Sequence, residues 1–299
     1  MRGARIPDAE GMDVPIIRLP SSLSDPVRLF HGAAIERREW DGLDRLERRR
    51  LLVRARYAAL TAPAIVSHRS AAALWGMPDV DPPDVRLHLI APGAKRTHSG
   101  RGVVRHVDAR GDLTATSIDG VPVTTVVQTA VDLARTGTST QAVVVFDHVL
   151  RRGDCSRDDL GGALDPLDGL RGIRQARDAL AFADPGSDSP GESISRMTLR
   201  SLRVPTPVLQ QEFTTDAGRF RVDFWWPEHG VVGEFDGRVK YDDHEVVWRE
   251  KLREDALRRL PQVHGFARWT MREARSQAAL ARVVLAAGLP VPRAGVMRH

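Results

Sequence analysis

Residues 222–237, VDFWWPEHGVVGEFDG, constrain the fold of this chain more than any other stretch. Two runs rich in aromatic and β-branched residues flank a Pro-Glu-His-Gly segment, which is the pattern of a β-hairpin. Each run carries one carboxylate in otherwise apolar sequence, Asp223 in the first and Glu234 in the second. Burying a carboxylate is costly unless it is paired or holds a cation, so these two acids are the first candidates for a functional site.

Alternation along the two strands predicts that the acids share one surface. Val222 and Phe224 point to one face of the first strand and Asp223 to the other, while Glu234 and Asp236 point the same way in the second. Carboxylates within ~5 Å of each other repel, and protonation, an arginine or a cation must neutralise them. A hard ion such as Mg²⁺ or Mn²⁺ would bind here through oxygen ligands and could position water for attack on a phosphodiester.

The elements around this hairpin follow a recognisable order. SPGESISRMTLRSL predicts a helix, with Ser189 and Glu192 at capping-box spacing. PVLQQEFTT, GRFRVDFWW and GVVGEFD predict three strands, DDHEVVWREKLREDALRRL a long helix, VHGFARWT a fourth strand and TMREARSQAALARVVLAAG a closing helix. On the long helix, the spacing of Trp248, Leu252 and Ala256 predicts a core-facing stripe. The order is therefore αβββαβ with one added helix.

The run ADPGSDSPGES at 183–193 is the clearest boundary, because Pro, Gly, Ser and Asp accumulate there between two helical patterns. Upstream of it, helical and strand-like segments mix. The sequence predicts an α+β protein in three parts: an irregular lead at 1–34, a mixed domain at 35–183 and the αβββαβ domain at 184–299.

Composition adds a weaker indication of a nucleic-acid partner. The formal net charge is +5, the pI is about 10.0, and all but three of the 44 Lys and Arg residues are arginine. The arginine fork suits phosphate, although GC-rich coding alone can produce the same preference. A single cysteine, Cys155, excludes an internal disulfide and a multi-thiolate metal site. No apolar stretch is long enough to cross a membrane and no signal peptide is visible, so the sequence predicts a cytoplasmic protein.

The aspartate, the Glu-x-acid strand and the αβββαβ order resemble the PD-(D/E)XK nuclease superfamily. More closely, residues 186–288 resemble its very-short-patch-repair (Vsr)-like branch, in which a helix glutamate, a strand aspartate and a VE-x-DG strand recur. The resemblance implies a restriction-endonuclease-like fold, DNA as substrate and Mg²⁺ or Mn²⁺ as cofactor. It implies that Asp223 and Glu234 are metal ligands and that Glu192 is a third acid beside the metal.

The motif departs from the superfamily at one position. The usual lysine two residues after the glutamate is replaced by Asp236, and Lys240 is the nearest lysine that could supply the ammonium. Glu192 is explained equally well as a capping residue, and Asp236, next to Gly237, as a turn residue. Candidate contacts to the nucleic-acid backbone are Arg221, Arg249 and Arg253.

The upstream segments VSHRSAAALWGMP, RGVVRHV, IDGVPVTTVVQTAVDLART and AVVVFDHVLRRG resemble the AbiEi-type antitoxins of type IV toxin–antitoxin systems. Such regions precede endonuclease-like domains in actinobacterial proteins. The resemblance spans about residues 36–153 and implies a regulator with DNA or a toxin as partner. The winged helix that usually opens this family is not evident.

Three hypotheses therefore stand. The first is a Mg²⁺-dependent DNA endonuclease with an antitoxin-like first domain. The second, motivated by the missing lysine, is a non-catalytic DNA-binding regulator that keeps a degenerate nuclease fold. The third is an interaction module that neutralises a partner toxin.

Overall fold

A computed structural model describes residues 5–7, 13–15, 23–90, 96–100, 102–108, 111, 113–237 and 244–292. Side chains are described for all of these except 5–7, 13–15, 244–247 and 249–250. The chain divides into two units, the first comprising Met1–Val149 and Gly153–Phe182 and the second Leu150–Arg152 and Ala183–His299. Among the helices in the described ranges, none is long and apolar enough to cross a membrane.

The first unit alternates short strands with helices. Its strands are β1 (Arg5–Pro7), β2 (Asp13–Pro15), β3 (Pro26–Phe30), β4 (Ala33–Glu36), β5 (Ile65–Val66), β6 (Leu87–Ile90), β7 (His98–Gly100), β8 (Val103–His106), β9 (Ala115–Ile118) and β10 (Val121–Thr124). Its helices are α1 (Arg37–Gly42), α2 (Arg45–Ala58), α3 (His68–Trp75), α4 (Val126–Thr136), α5 (Ser139–Arg151), α6 (Arg157–Leu164) and α7 (Ile173–Phe182).

A mixed six-stranded sheet organises this unit, in the order β7-β8-β6-β5-β10-β9. The pairs β6/β8 and β5/β10 are parallel and the others antiparallel. Val53 of α2 and Leu74 of α3 belong to one buried apolar cluster with Leu89 and Val123 of the sheet. Helix α3 ends at Gly76, whose φ of 74° is the left-handed conformation that glycine adopts without strain.

The described part of the segment predicted as an irregular lead, 1–34, contains short paired strands. β1 pairs with β2, and β3 pairs with β4, both antiparallel. These strands are three to five residues long and three of them begin or end with a proline. Such short segments carry too few side chains for an alternating pattern to be visible.

The second unit has the predicted order of elements. Helix α8 (Pro190–Ser201) precedes β11 (Val208–Thr215), β12 (Gly218–Trp226) and β13 (Val231–Asp236), and these are followed by α9 (His244–Arg258), β14 (Gly265–Thr270), α10 (Met271–Ala274) and α11 (Gln277–Ala286). The sheet order is β11-β12-β13-β14, with β13 and β14 parallel and the other pairs antiparallel. The predicted α+β class and the αβββαβ core are confirmed.

Close packing positions α8 against this sheet. A Cβ added to Gly191 would lie 2.0 Å from the Phe235 ring, so only glycine allows the approach. The indole Nε1 of Trp269 donates to Ser195 Oγ of α8 at 2.8 Å, which satisfies the polar atom of a buried ring. The start of α8 is thereby fixed over β13 and β14.

Two predictions about helices need correction. Trp248 and Leu252 do not face the core, because they are 60% and 45% exposed; the buried end of α9 is formed by Ala256 and Leu257. The closing helix is also two helices rather than one. Thr270 and Glu273 form a capping box at the start of α10, but Ser276 caps a separate α11 by accepting from the backbone N–H of Ala279.

Candidate functional site

Asp223 and Glu234 occupy opposing positions on neighbouring strands. The register of β12 and β13 pairs Phe224 with Gly233, so the next opposing positions in the same register are Asp223 and Glu234. The backbone N–H of Phe235 donates to Asp223 Oδ2 at 2.9 Å. The predicted convergence of these two acids is therefore what the strand pairing produces.

The row of opposing positions that contains Asp223 and Glu234 extends across all four strands of the sheet. β13 and β14 pair Glu234 with Arg268. In β11, Gln210 lies between the two positions that pair with Phe224 and Val222, opposite Asp223. Each strand thus contributes one polar residue, and we call Gln210, Asp223, Glu234 and Arg268 the polar row.

Helix α8 brings Glu192 to the polar row. This side chain is only 5% exposed and accepts three hydrogen bonds, from Ser189 Oγ at 2.7 Å, the Asp188 backbone N–H at 2.9 Å and Gln210 Nε2 at 2.8 Å. Ser189 caps the helix as predicted by accepting from the Glu192 backbone N–H. The Glu192 carboxylate, however, reaches the N–H of Asp188 rather than that of Ser189.

Burial, and after it the nearby carboxylate of Asp223, raises the pKa of Glu192 to about 7. Burial is also the main reason that the pKa of Asp223 is raised, with Glu234 adding to the effect. The Phe235 N–H and the Gln210 side chain act against this shift, because they donate to the ionised form. Glu192 and Asp223 are therefore two coupled carboxyl groups that do not ionise independently.

Glu234 is neutralised differently, by two arginines. It is 7% exposed, and its Oε1 lies 2.6 Å from Arg253 Nη2 of α9. Its Oε2 accepts from Arg268 Nη2 at 2.8 Å. Because Arg268 comes from β14 and Arg253 from α9, the carboxylate is held from two sides.

This arrangement does not fit a divalent ion at Glu234. A metal would have to displace two arginines from the carboxylate, and it would leave their charges partly buried. Within the ranges that the structure describes, no group of three or more His, Cys, Asp and Glu side chains is placed to hold a metal ion. Glu192 and Asp223 differ from Glu234, because the Gln210 side chain rather than an arginine pair contacts them.

The remaining predicted site residues are placed as follows. Asp236 is half-buried at the last position of β13, opposite Thr270. Arg221 is exposed and pairs with Asp188 at 2.7 Å, and its carbonyl oxygen accepts from Arg253 Nη2 at 2.7 Å. Lys240 and the side chain of Arg249 lie outside the described residues.

Sequence reasoning missed Gln210, which joins Glu192 to the polar row. Its φ is 54°, a left-handed value that is uncommon for a residue other than glycine and costs free energy. A glutamine within PVLQQEFTT carries no signal of such a conformation. Arg268 was missed for another reason: the register of two parallel strands separated by a helix cannot be read from either strand alone.

Comparison with known proteins gives a family match within the first unit. Residues 57–182 match the family model of the AbiEi antitoxin C-terminal domain. Uncharacterized proteins from two strains of Mycobacterium tuberculosis are each 31% identical to the chain over 199 residues, which is 66% of this chain and 71% of theirs. The chain belongs to the family of these mycobacterial proteins. The AbiEi match runs from the end of α2 to the end of α7, so the predicted AbiEi resemblance is confirmed there.

The AbiEi match ends before α8, and the polar row lies beyond it. No solved structure matches the chain significantly. The nuclease-like resemblance of the second unit remains a prediction.

Proposed function

We propose that the protein is a DNA-binding regulator of the antitoxin type, in which the second unit keeps a nuclease-like order of elements without an open metal site. One observation carries this proposal, the pairing of buried Glu234 with both Arg253 and Arg268. In a metal-dependent nuclease of this topology, that carboxylate would be expected to hold the ion. Here the carboxylate instead forms ion pairs with one arginine of α9 and one of β14.

The first unit supports the regulator function, because its matching family is named for an antitoxin. An antitoxin acts by engaging a toxin or the nucleic acid that controls one. The basic composition, in which arginine dominates, agrees with a phosphate-bearing partner. The proposed partners are DNA and a cognate toxin.

Binding of the full chain to duplex DNA tests this function by fluorescence anisotropy at rising NaCl concentration. We expect an apparent Kd that increases steeply with salt, because each arginine–phosphate contact releases counterions. Absence of binding at 50 mM salt, on random and on native upstream DNA alike, would reject the proposal.

A second candidate is metal-dependent hydrolysis of phosphodiesters by the second unit. It is favoured by Glu192 and Asp223, whose pKa values are both raised chiefly by burial and which are bridged by the Gln210 amide rather than by an arginine. A divalent cation would offset their repulsion. Cleavage of linear, nicked and single-stranded DNA with Mg²⁺ or Mn²⁺ tests it.

Asp223→Asn is the informative variant in that assay, with Asp216→Asn in the exposed β11–β12 turn as its matched control. We expect any intrinsic cleavage to disappear in the first and persist in the second. Equal cleavage by wild type and Asp223→Asn assigns the activity to a contaminant or to another site, and removes this candidate.

A further inference from the structure

Three histidines converge in the first unit, remote in sequence from one another. His68 opens α3, His88 lies in β6 and His106 ends β8. The rings of His68 and His106 stack with centroids 3.5 Å apart and planes 11° apart, and the His88 ring lies 5.2 Å from that of His106. We call these three side chains the imidazole cluster; none of them takes part in the function proposed above.

A chain of hydrogen bonds fixes the tautomers of two members. Asp84 is held ionised by Arg86, which lowers the pKa of that carboxyl, so Asp84 can only accept. His88 Nε2, 3.1 Å from Asp84 Oδ2, is therefore the donor in that contact. His88 Nδ1 then lies 3.0 Å from His106 Nε2, a contact that requires one donor and one acceptor.

It follows that the imidazole cluster tolerates little positive charge. If His88 and His106 were both protonated, two N–H donors would face each other at 3.0 Å. If His68 and His106 were both protonated, two cations would stack at 3.5 Å. The observed geometry therefore disfavours protonation of His106 together with either of its neighbours.

The charged groups packed around the cluster come from every neighbouring element. α2 contributes Arg49, the segment before β6 contributes Asp84 and Arg86, and α4 contributes Asp132 and Arg135. His68 Nδ1 also contacts Ser67 Oγ at 3.0 Å and lies 3.9 Å from Asp132 Oδ2. Three arginines against two carboxylates leave the surroundings unfavourable to a further cation.

Burial acts in the same direction. His68 and His88 are 5% and 6% exposed. Desolvation lowers the pKa of His88 and of His106 to about 4 and holds that of His68 well below its usual value; the neighbouring imidazoles lower the pKa values of His68 and His106 further. All three rings are consequently neutral near pH 7.

The backbone at His68 is also strained. Its φ of 49° is left-handed, at the first residue of α3. Such a conformation persists only where surrounding contacts enforce it, and the stack on His106 together with the Ser67 contact supplies them. The imidazole cluster thus supplies contacts that hold the start of α3 against β6 and β8.

We propose that the imidazole cluster is an acid-sensitive latch: it holds the start of α3 against β6 and β8 while its rings are neutral, and it releases α3 when a second proton enters. Release separates the stacked rings and relaxes the backbone at His68. Because α3, β6 and β8 all lie within the AbiEi match, the latch acts on the conformation of that part of the first unit.

The sign of the pH dependence follows from the lowered pKa values. An unfolded histidine has a pKa of about 6.5, so the opened state binds more protons than the closed state as the pH falls from 6.5 towards 4. Stability of the closed latch is therefore full above pH 6.5 and is lost progressively below it.

Imidazole NMR of the full chain, combined with hydrogen exchange of the α3 amides corrected for intrinsic rates, tests the latch. The three cluster histidines should resist protonation until well below pH 6.5 and then titrate together with loss of α3 protection. Independent titration of all three near 6.5, with α3 still protected at pH 4.5, would overturn the proposal.

His106→Phe provides the variant test, because phenylalanine keeps a ring on His68 but cannot take a proton. We expect the pH at which α3 loses protection to move down by about half a unit or more. His98→Phe, an exposed histidine on β7 of the same sheet, is the matched control and should leave it unchanged. An identical shift of that pH in both variants, or no shift in His106→Phe, contradicts the latch. If His106→Phe does not fold, the titration of the wild-type histidines tests the latch instead.

Discussion

Gln210 donates its side-chain amide to Glu192 Oε2 at 2.8 Å while its own backbone is held at a φ of 54°. A strained residue in the middle of a strand therefore joins the buried acid of α8 to the polar row. The strain costs about 1–3 kcal/mol, so the contacts of this amide must be worth at least as much to the folded second unit.

Gln210→Ala should consequently destabilise the second unit. The substitution leaves the left-handed backbone in place but removes the donor to two buried carboxyl groups, which costs about 1–3 kcal/mol. Urea unfolding followed by tryptophan fluorescence measures it. Gln211→Ala, one residue along the same strand, is the control and should change the free energy of unfolding by less than about 0.5 kcal/mol; equal effects would show that the bridge contributes nothing.

Glu192 should make the second unit more stable in mild acid than at neutral pH. Its pKa is about 7 in the folded chain against an ordinary value of 4.5, so the folded state binds more protons between these values and stability falls as the pH rises through that window. We expect the urea midpoint of this unit to decrease from pH 5 to pH 7.5 in wild type. In Glu192→Gln that decrease should be smaller, whereas Glu228→Gln in the exposed hairpin turn should retain it.

The two units should therefore respond to acid in opposite directions. The imidazole cluster weakens the first unit as the pH falls below 6.5, and Glu192 strengthens the second over part of the same range. Hydrogen exchange resolved by peptide at pH 5 and pH 7.5 separates them. Parallel changes in α3 and α8 would mean that one global process, rather than these local groups, sets the pH response.

Gly191→Ala should disturb the packing of α8 against β13. Its methyl group would lie 2.0 Å from the Phe235 ring, within the second unit, and overpacking of this kind costs about 1–3 kcal/mol. Gly161→Ala in α6 is the contrasting control, because nothing lies within 4 Å of the added Cβ. There the better helix propensity of alanine should stabilise by about 0.5–1 kcal/mol. Thermal melts that rank the two variants in the reverse order would refute this packing.

The sequence predicted the features that depend on local patterns. The hairpin around Pro227–Gly230, the order of elements in the second unit and the opposition of Asp223 and Glu234 follow from alternation and turn chemistry.

What the sequence did not predict depends on contacts between distant segments. The partners of Glu234 come from α9 and β14, and the imidazole cluster joins residues 68, 88 and 106. Periodicity also misled at Trp248, since among the described side chains of α9 the buried ones are Ala256 and Leu257. A repeat of apolar residues shows that one face is apolar, but it does not show that another element covers it.

Binding of Mn²⁺ to the full chain, followed by its electron paramagnetic resonance signal, tests most directly whether arginines have replaced a metal at Glu234. We expect no saturable binding that depends on the polar row, so that wild type and Asp223→Asn give the same weak, non-specific uptake. Saturable binding in wild type that disappears in Asp223→Asn and persists in Asp216→Asn would contradict the closed site and would favour the hydrolase.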